Sequence, residues 1–261
     1  MNDLPRLRIF AGPNGSGKST IKSVICSELL GVYINPDEIE KDIRNGDFLD
    51  LQAFGVRTTS AEILAFFQNS TLLAKADLLD EADLLSFNDD KLCFHNVLVN
   101  SYFASVAADF IRHKLLDVGT FFTFETVISS PDKVAFLQKA KQRGYRTYLY
   151  YVATEDPIIN ILRVQRRVSM GGHPVPKDKI AAPARRVPRR EKGDKTVARY
   201  TRSLDLLVDA IRHTNRAYIF DNSTHQQIWT AEITNGEFLE MKTDRMPAWF
   251  KTAVWDKFSE I

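Results

Sequence analysis

The feature that most constrains this chain is a short segment near its start, residues 12–19, with the sequence GPNGSGKS. It fits the pattern G-x-x-x-x-G-K-[ST] in full. An apolar, strand-like segment (6–11) precedes it, and a stretch with helical apolar spacing (18–30) follows it. In that context the glycines let the main chain curl so that successive N–H groups point at phosphate oxygens. The segment therefore predicts a P-loop that binds a nucleoside triphosphate.

Each part of this loop has an expected role. Lys18 is predicted to reach the β- and γ-phosphates of ATP, and the Ser19 hydroxyl is predicted to ligate Mg²⁺. The alternative, a chance Gly/Ser turn before a helix, is disfavoured because strand, helix and full motif occur together. The predicted cofactor-binding residues are consecutive: Gly12, Pro13, Asn14, Gly15, Ser16, Gly17, Lys18, Ser19 and Thr20.

Composition limits the partners that we expect. The 261 residues carry 35 basic and 33 acidic side chains, a formal charge of +2. This balance gives no reason to expect nucleic acid or a membrane surface as a partner. The first ten residues, MNDLPRLRIF, lack the apolar core of a signal peptide, so we expect a cytoplasmic protein. Cys26 and Cys93 have apolar neighbours and are predicted to be buried, reduced thiols.

The alternation of strand-like and helix-like segments predicts an α/β fold of the P-loop NTPase or kinase type, with three layers and a mostly parallel sheet. We predict one domain over 1–261, with a helical insertion at about 49–98 and a mobile lid at about 169–196, where Gly, Pro and basic residues replace apolar periodicity. A hairpin is predicted around Asn235-Gly236. The other predicted strands are 31–34, 120–127, 147–154 and 217–221, and the later helices are 102–116, 132–141 and 199–213.

The class of P-loop protein is narrowed by motifs that the chain lacks. Transport-type and mismatch-repair-type ATPases need an apolar run that ends in Asp-Glu, and the nearest segment, YIFDN at 218–222, does not fit. A GTPase needs an Asn-Lys-x-Asp motif, which is also absent from the sequence. The remaining class is the small nucleotide kinases, which are similar in size and topology.

Six segments of the sequence together resemble one particular family of these kinases. The segments AGPNGSGKST, YINPDEI, FTFETVIS, RVQRRVSMGGHPVP, ARYTRSL and YIFDNS follow the order found in the zeta toxin family of P-loop kinases, and are most similar to its predicted-ATPase branch. They span about 8–223, apart from 49–98. The resemblance implies an ATP-dependent kinase acting on a hydroxyl of a small molecule, such as the nucleotide sugar UDP-N-acetylglucosamine. An antitoxin protein is an expected partner.

Asp37, Glu125 and Thr126 are the predicted acceptor-side residues. Asp37 follows a strand, where ligand sites of α/β proteins gather, and the resemblance implies that it is the general base. It is equally suited to the first turn of a helix, where Asn35 is the expected N-cap. Glu125 interrupts an apolar strand at its carboxyl end, and the resemblance implies that it binds the acceptor together with Thr126. A structural hydrogen bond is the other interpretation of Glu125.

Three arginines on one predicted helix complete the candidate site. Arg163 and Arg167 are four residues apart and share a face, so both are predicted to stabilise the transferring phosphoryl group, ahead of Arg166. A solvated basic face is the alternative. Asp221 and Asn222 end a strand, where they either border the adenine pocket or cap a turn.

One segment departs from the family pattern. A basic insertion at 181–196, AAPARRVPRREKGDKT, stands where relatives have almost none. Its basic cluster leaves a nucleic-acid-associated ATPase open as an alternative function. A second alternative, which does not depend on this segment, is a nucleotide-binding toxin or regulatory module controlled by a partner protein.

Overall fold

The structure, a computed structural model, describes residues 4–170 and 195–259. Its strands, in chain order, are β1 (Arg6–Ala11), β2 (Val32–Ile34), β3 (Phe48–Asp50), β4 (Ser86–Asn88), β5 (Lys91–Cys93), β6 (Phe122–Thr126), β7 (Arg146–Ala153), β8 (Arg216–Asp221), β9 (Ile228–Thr234) and β10 (Phe238–Met241).

Its helices are α1 (Lys18–Val24), α2 (Pro36–Gly46), α3 (Ser60–Gln68), α4 (Thr71–Ala74), α5 (Leu79–Ala82), α6 (Ser101–Asp117), α7 (Pro131–Gln142), α8 (Pro157–Ser169), α9 (Lys195–Asp205), α10 (Leu207–Arg212), α11 (Ala248–Phe250) and α12 (Asp256–Ser259). A π-helical turn, Lys251–Trp255, joins the last two. Among the described helices, none has the length and apolar character needed to cross a membrane.

The chain divides into two compact units. We call Met1–Cys26 together with Thr126–Ile261 the P-loop unit, and Ser27–Glu125 the middle unit. Strands β1, β7 and β8 pair in parallel in the P-loop unit, and β2 and β6 pair in parallel in the middle unit. Helices flank these strands, so the predicted α/β fold of the P-loop kinase type is confirmed.

The P-loop unit is built on a sheet with the order β10-β9-β8-β7-β1. Five of the six residues of β1 are buried, from Leu7 to Ala11. Continuous burial of this kind is expected for a parallel strand that is covered on both faces. Helix α1 packs on β1 and β7, and α7 packs on β7. These contacts fix the end of β1, where the predicted nucleotide site begins.

The predicted hairpin at Asn235-Gly236 is confirmed. It joins β9 and β10, which are antiparallel, with Phe238 opposite Thr234. Asn235 has φ 54° and Gly236 has φ 75°. Positive φ at both central residues suits the right-handed twist of the flanking strands, which explains the preference for Asn-Gly at this turn.

The middle unit has its own aromatic core. The rings of Phe67, Phe94 and Phe103 lie 6.1–6.5 Å apart between centroids, and all three are almost fully buried. Segment 49–98, predicted to be helical, contains the short helices α3 to α5 and also an antiparallel sheet of order β3-β5-β4. Strands of three residues are too short to show alternation in the sequence, which is why composition suggested two helices over 61–85 and left 91–99 open as helix or strand.

The region after the P-loop corrects two predictions. Helix α1 ends at Val24 instead of continuing to residue 30, because Ile25 is already extended. The predicted apolar face therefore does not form: Ile21 is buried, but Val24 is 78% exposed and Leu29 is 41% exposed. Cys26 is exposed and Cys93 is half-buried, so the prediction that both thiols are buried was wrong.

Other predictions hold to within a few residues. The predicted strands after residue 100 correspond to β6, β7 and β8, and helices 102–116 and 132–141 correspond to α6 and α7. The predicted helix 199–213 is two helices, α9 and α10, which meet at Leu206. The predicted lid, 169–196, lies outside the described residues except at its two ends.

The aromatic core of the middle unit should dominate its stability. We expect Phe103→Ala to lower the free energy of unfolding by about 3–5 kcal/mol, because it removes a fully buried ring and leaves a cavity. Urea denaturation followed by circular dichroism measures the change. Leu98→Ala is the control, since Leu98 is 85% exposed and its loss should change stability little. Equal effects of the two variants would contradict this description of the core.

Candidate active site

The loop between β1 and α1 follows the path that the P-loop motif requires. Gly12 has φ 135° and Gly17 has φ 102°, values that side chains disfavour. The loop is also closely packed: a Cβ placed on Gly12 would lie 2.0 Å from the carbonyl oxygen of Val152, at the end of β7. A Cβ on Gly17 would lie 2.2 Å from the side-chain nitrogen of Asn222. A Cβ at Gly12 is therefore blocked by main chain, and a Cβ at Gly17 would be strained and would have to displace the Asn222 side chain.

The ammonium group of Lys18 lies over this curl of main chain. Its Nζ donates to the carbonyl oxygens of Gly12 at 2.9 Å and Pro13 at 3.2 Å. The loop is tightened further by a hydrogen bond from the Ser16 N–H to the Pro13 carbonyl, 3.2 Å. A positive charge within a ring of main-chain groups fits the oxygens of a polyphosphate, as the sequence predicts.

The hydroxyl groups of the motif differ in their surroundings. Ser19 and Thr20 are exposed on the first turn of α1, so either hydroxyl is accessible to a metal ion bound to phosphate. Ser16 is fully buried, and its Oγ has no hydrogen-bond partner among the described residues. Within 4–170 and 195–259, no three His, Cys, Asp or Glu side chains are grouped closely enough to hold a metal ion.

Asn222, whose role the sequence left undecided, contacts the P-loop directly. The side chain of Asn222 donates to the Ser16 carbonyl at 2.6 Å, which places it on the P-loop itself. The carboxylate of Asp221 is buried and accepts a hydrogen bond from Trp249 Nε1 at 2.9 Å and another from the Ser223 hydroxyl. These bonds hold the turn after β8 in one position.

The predicted arginines lie on α8 in different surroundings. Arg163 donates to the carbonyl oxygens of Asn222 at 2.8 Å and Thr224 at 3.0 Å, so its guanidinium binds the turn after β8. Arg166 and Arg167 are exposed. The basic face that was the alternative interpretation therefore describes the surroundings of Arg166 and Arg167 in this structure, and the predicted catalytic role of Arg163 and Arg167 stays a prediction.

Helix α9 supplies two polar side chains that the sequence analysis did not single out. Tyr200 donates to the carbonyl of Thr154 just after β7, and Ser203 donates to the carbonyl of Val127. Burial raises the pKa of the Tyr200 phenol, and the nearby carboxylate of Glu155 raises it further, so the phenol keeps its proton as a donor. The only sequence signal is the three-residue spacing of Tyr200 and Ser203, which puts them on one helical face.

In the middle unit, Glu125 has a hydrogen-bond partner that the sequence did not reveal. The Tyr33 hydroxyl, from β2, donates to Glu125 Oε1 at the end of β6. Burial raises the pKa of the Tyr33 phenol, and the adjacent Glu125 carboxylate raises it further. Tyr33 is thus a permanent donor that fixes one oxygen of the carboxylate.

The same edge of the middle unit carries Asp37. As predicted, Asn35 is the N-cap of α2: its side-chain oxygen accepts from the Asp37 N–H at 2.9 Å. The Asn35 side-chain nitrogen lies 3.5 Å from the Tyr33 hydroxyl. Asp37 itself is exposed. A row of polar groups therefore links Asp37 through Asn35 and Tyr33 to Glu125.

Thr126, the next predicted acceptor residue, opens the second segment of the P-loop unit. Its hydroxyl accepts from the N–H of Ile128 at 3.4 Å. Ile128 has φ 49° and is 1% exposed. A β-branched residue in the left-handed region costs on the order of 1–3 kcal/mol, and strain of this kind is concentrated at functional sites. No sequence signal indicated this strain.

Comparisons with known proteins identify the family and the fold. A family model described as Zeta toxin matches residues 95–234, just over half of the chain. A solved chain from the PezAT chromosomal toxin–antitoxin system of Streptococcus pneumoniae is similar over 100% of this chain and 80% of its own, with 14% identity and a TM-score of 0.50. At that identity the likeness shows the fold.

A second solved structure is more distant. A chain of the AvrRxo1-ORF1:AvrRxo1-ORF2 complex with sulphate ions is matched over 99% of this chain, with 11% identity and a TM-score of 0.48. This chain spans 64% of that one, less than two thirds of its length. None of the curated proteins matches the sequence.

The close approach of β7 to the loop can be tested at Gly12. We expect Gly12→Ala to weaken ATP binding at least about 100-fold, because the Cβ would meet the Val152 carbonyl at 2.0 Å and neither main-chain group can move aside without reshaping the loop. Titration calorimetry with Mg·ATP measures this.

The matched control is Gly144→Ala. Gly144 has φ 79° in the same unit, but a Cβ there has no atom within 4 Å. This variant should lose about 1 kcal/mol of stability from strain and bind ATP normally. If both variants bind ATP like the unchanged protein, the packing at Gly12 is not required for the site.

Proposed function

The chain belongs to the zeta toxin family of P-loop kinases, and from that premise we propose that it transfers the γ-phosphoryl group of ATP to a hydroxyl of a small molecule. The observation that carries the proposal is the glycine-rich loop that curls around the Lys18 ammonium group. The ammonium donates to the carbonyl oxygens of Gly12 and Pro13. Little covalent chemistry is asked of the protein in phosphoryl transfer, so positioning and charge supply most of the rate.

On the donor side, residues 12–20 hold the triphosphate of ATP. Lys18 exchanges its carbonyl partners for β- and γ-phosphate oxygens when nucleotide binds, and main-chain N–H groups of the loop donate to the remaining oxygens. Ser19 is the proposed ligand for Mg²⁺, which when bound neutralises charge shared between those phosphates.

On the acceptor side, Asp37 is the proposed base that accepts the proton of the attacking hydroxyl. Its exposure and the capping bond from its N–H to Asn35 support a carboxylate that is fixed in place but accessible. Glu125 and Thr126 are proposed to bind the acceptor. Because Tyr33 occupies one oxygen of Glu125, the other oxygen is the one proposed to accept from an acceptor hydroxyl.

Arg163 and Arg167 are proposed to neutralise charge in the transition state. For Arg163 this requires that its guanidinium exchange a carbonyl of the turn after β8 for a phosphate oxygen. Arg167 is exposed and four residues further along the same helix.

Family membership supports three finer proposals. The acceptor is a nucleotide sugar such as UDP-N-acetylglucosamine, an antitoxin protein restrains the activity, and the protein acts in the cytoplasm as one kinase-like domain. The near-neutral charge balance of +2 favours this small-molecule kinase over a nucleic-acid-associated ATPase. A module that only binds nucleotide would bind ATP without modifying any acceptor.

Two variants separate nucleotide binding from transfer. With labelled ATP, Mg²⁺ and a panel of nucleotide sugars, we expect a labelled acceptor from the unchanged protein. Lys18→Ala should bind ATP weakly and transfer nothing, because the phosphates lose their ammonium. Asp37→Asn should bind ATP normally but transfer at least about 100-fold more slowly, because the base is lost.

Asp42→Asn is the matched control, since Asp42 is an exposed carboxylate on the same helix as Asp37. It should leave transfer unchanged. Normal transfer by Asp37→Asn would rule out the base assignment, and ATP binding with no modified acceptor would rule out the transferase.

A third variant tests the hydrogen bond on Glu125. We expect Tyr33→Phe to raise the KM for the acceptor about tenfold and to leave the KM for ATP unchanged, because a bond to a charged partner that sets the carboxylate orientation is lost. Steady-state kinetics with each substrate varied in turn measures both constants. Tyr218→Phe, a half-buried tyrosine of the P-loop unit, is the control. An equal rise in both KM values would show that Tyr33 acts on the whole fold instead.

A further inference from the structure

Asn222 contacts the P-loop at one defined group. Its side-chain nitrogen donates to the Ser16 carbonyl at 2.6 Å, across 206 positions of sequence. The same nitrogen lies 2.2 Å from the position that a Cβ on Gly17 would take. The contact is therefore directed at the peptide unit that joins Ser16 to Gly17.

The orientation of that peptide unit has a chemical consequence. In a trans peptide, the carbonyl of one residue and the N–H of the next point to opposite sides. When Asn222 holds the Ser16 carbonyl on its own side, the Gly17 N–H must point away from Asn222. Across the described part of the chain, the Gly17 N–H has no hydrogen-bond acceptor.

Asn222 is itself held on three sides. Its main-chain N–H donates to the Ala153 carbonyl at 2.8 Å, which extends the pairing of β8 with β7. Its own carbonyl accepts from Arg163. On either side in the chain, Asp221 is bound by Trp249, and the Ser223 hydroxyl accepts from the Glu155 N–H at 2.8 Å. Because the main chain around Asn222 is fixed in this way, its side chain can hold the P-loop in one orientation.

We infer that Asn222 is a positioning residue for the nucleotide site: by holding the Ser16 carbonyl, it orients the Gly17 N–H toward the phosphates of the bound nucleotide. The inference rests on the proposed function only in requiring that this loop binds a polyphosphate. Asn222 acts through the loop and does not itself touch the ligand.

A different role makes a different prediction. A residue at the end of β8 that touched the purine would discriminate between nucleotides by their bases. A residue that orients a phosphate-binding N–H acts equally on every ligand that carries the same phosphates. Inorganic tripolyphosphate, which has the phosphates and no base, separates the two.

The test is titration calorimetry of Asn222→Ala with Mg·ATP and with Mg·tripolyphosphate. We expect both affinities to fall about tenfold, the scale of one hydrogen bond to a charged group. His225→Ala is the control, because His225 is exposed in the same turn. Loss of affinity for ATP alone would show that Asn222 contacts the base, and unchanged affinity for both ligands would also overturn the inference.

A measurement on the unchanged protein decides the matter if Asn222→Ala fails to fold. In protein with ¹⁵N-labelled glycine, the Gly17 amide proton should shift downfield when Mg·tripolyphosphate is added, because it becomes a phosphate donor. No shift of this resonance would overturn the inference. Since both tests measure binding, a protein that binds these ligands but phosphorylates no acceptor would refute the proposed kinase and leave the role of Asn222 intact.

Discussion

Close packing around the P-loop is the constraint on which the rest of the structure depends. Three segments approach the glycines of the loop so closely that a Cβ would meet their atoms: the main chain of Val152 at the end of β7, the main chain of Asn160 in α8, and the side chain of Asn222 after β8. They can do so only because β7 pairs with β1 and β8 pairs with β7, both in parallel. The carboxyl ends of parallel strands lie at one edge of the sheet. The order of the strands therefore also decides which residues surround the P-loop.

Sequence predicted what is local and missed what is distant. The P-loop, the Asn35 cap and the Asn235-Gly236 turn depend on neighbouring residues, and the structure contains all three. The contact of Asn222 with Ser16 depends on the sheet, so the sequence left Asn222 undecided between two roles. The predicted burial of Cys26 failed for a related reason, because apolar neighbours form a buried face only if their helix continues.

Two separate stretches of the chain carry the functional evidence. The family model matches from residue 95 onward, after the P-loop and Asp37, whereas the nucleotide site is supported by the packing of residues 12–19. Glu125 and Thr126, which are proposed to bind the acceptor, lie within the family match, and their neighbours Tyr33 and Ile128 add a fixed donor and a strained main chain. Agreement between independent observations makes the kinase interpretation stronger than either observation alone.

The span of 206 positions between Ser16 and Asn222 has a consequence for synthesis. The P-loop is synthesised early, but Asn222, which binds the Ser16 carbonyl, is added only after most of the chain. At translation rates of 5–20 residues per second, that interval is roughly 10–40 s. Until then the nascent chain contains the P-loop motif without the hydrogen bond from Asn222. A growing polypeptide should therefore bind ATP tightly only after its last strands have been synthesised.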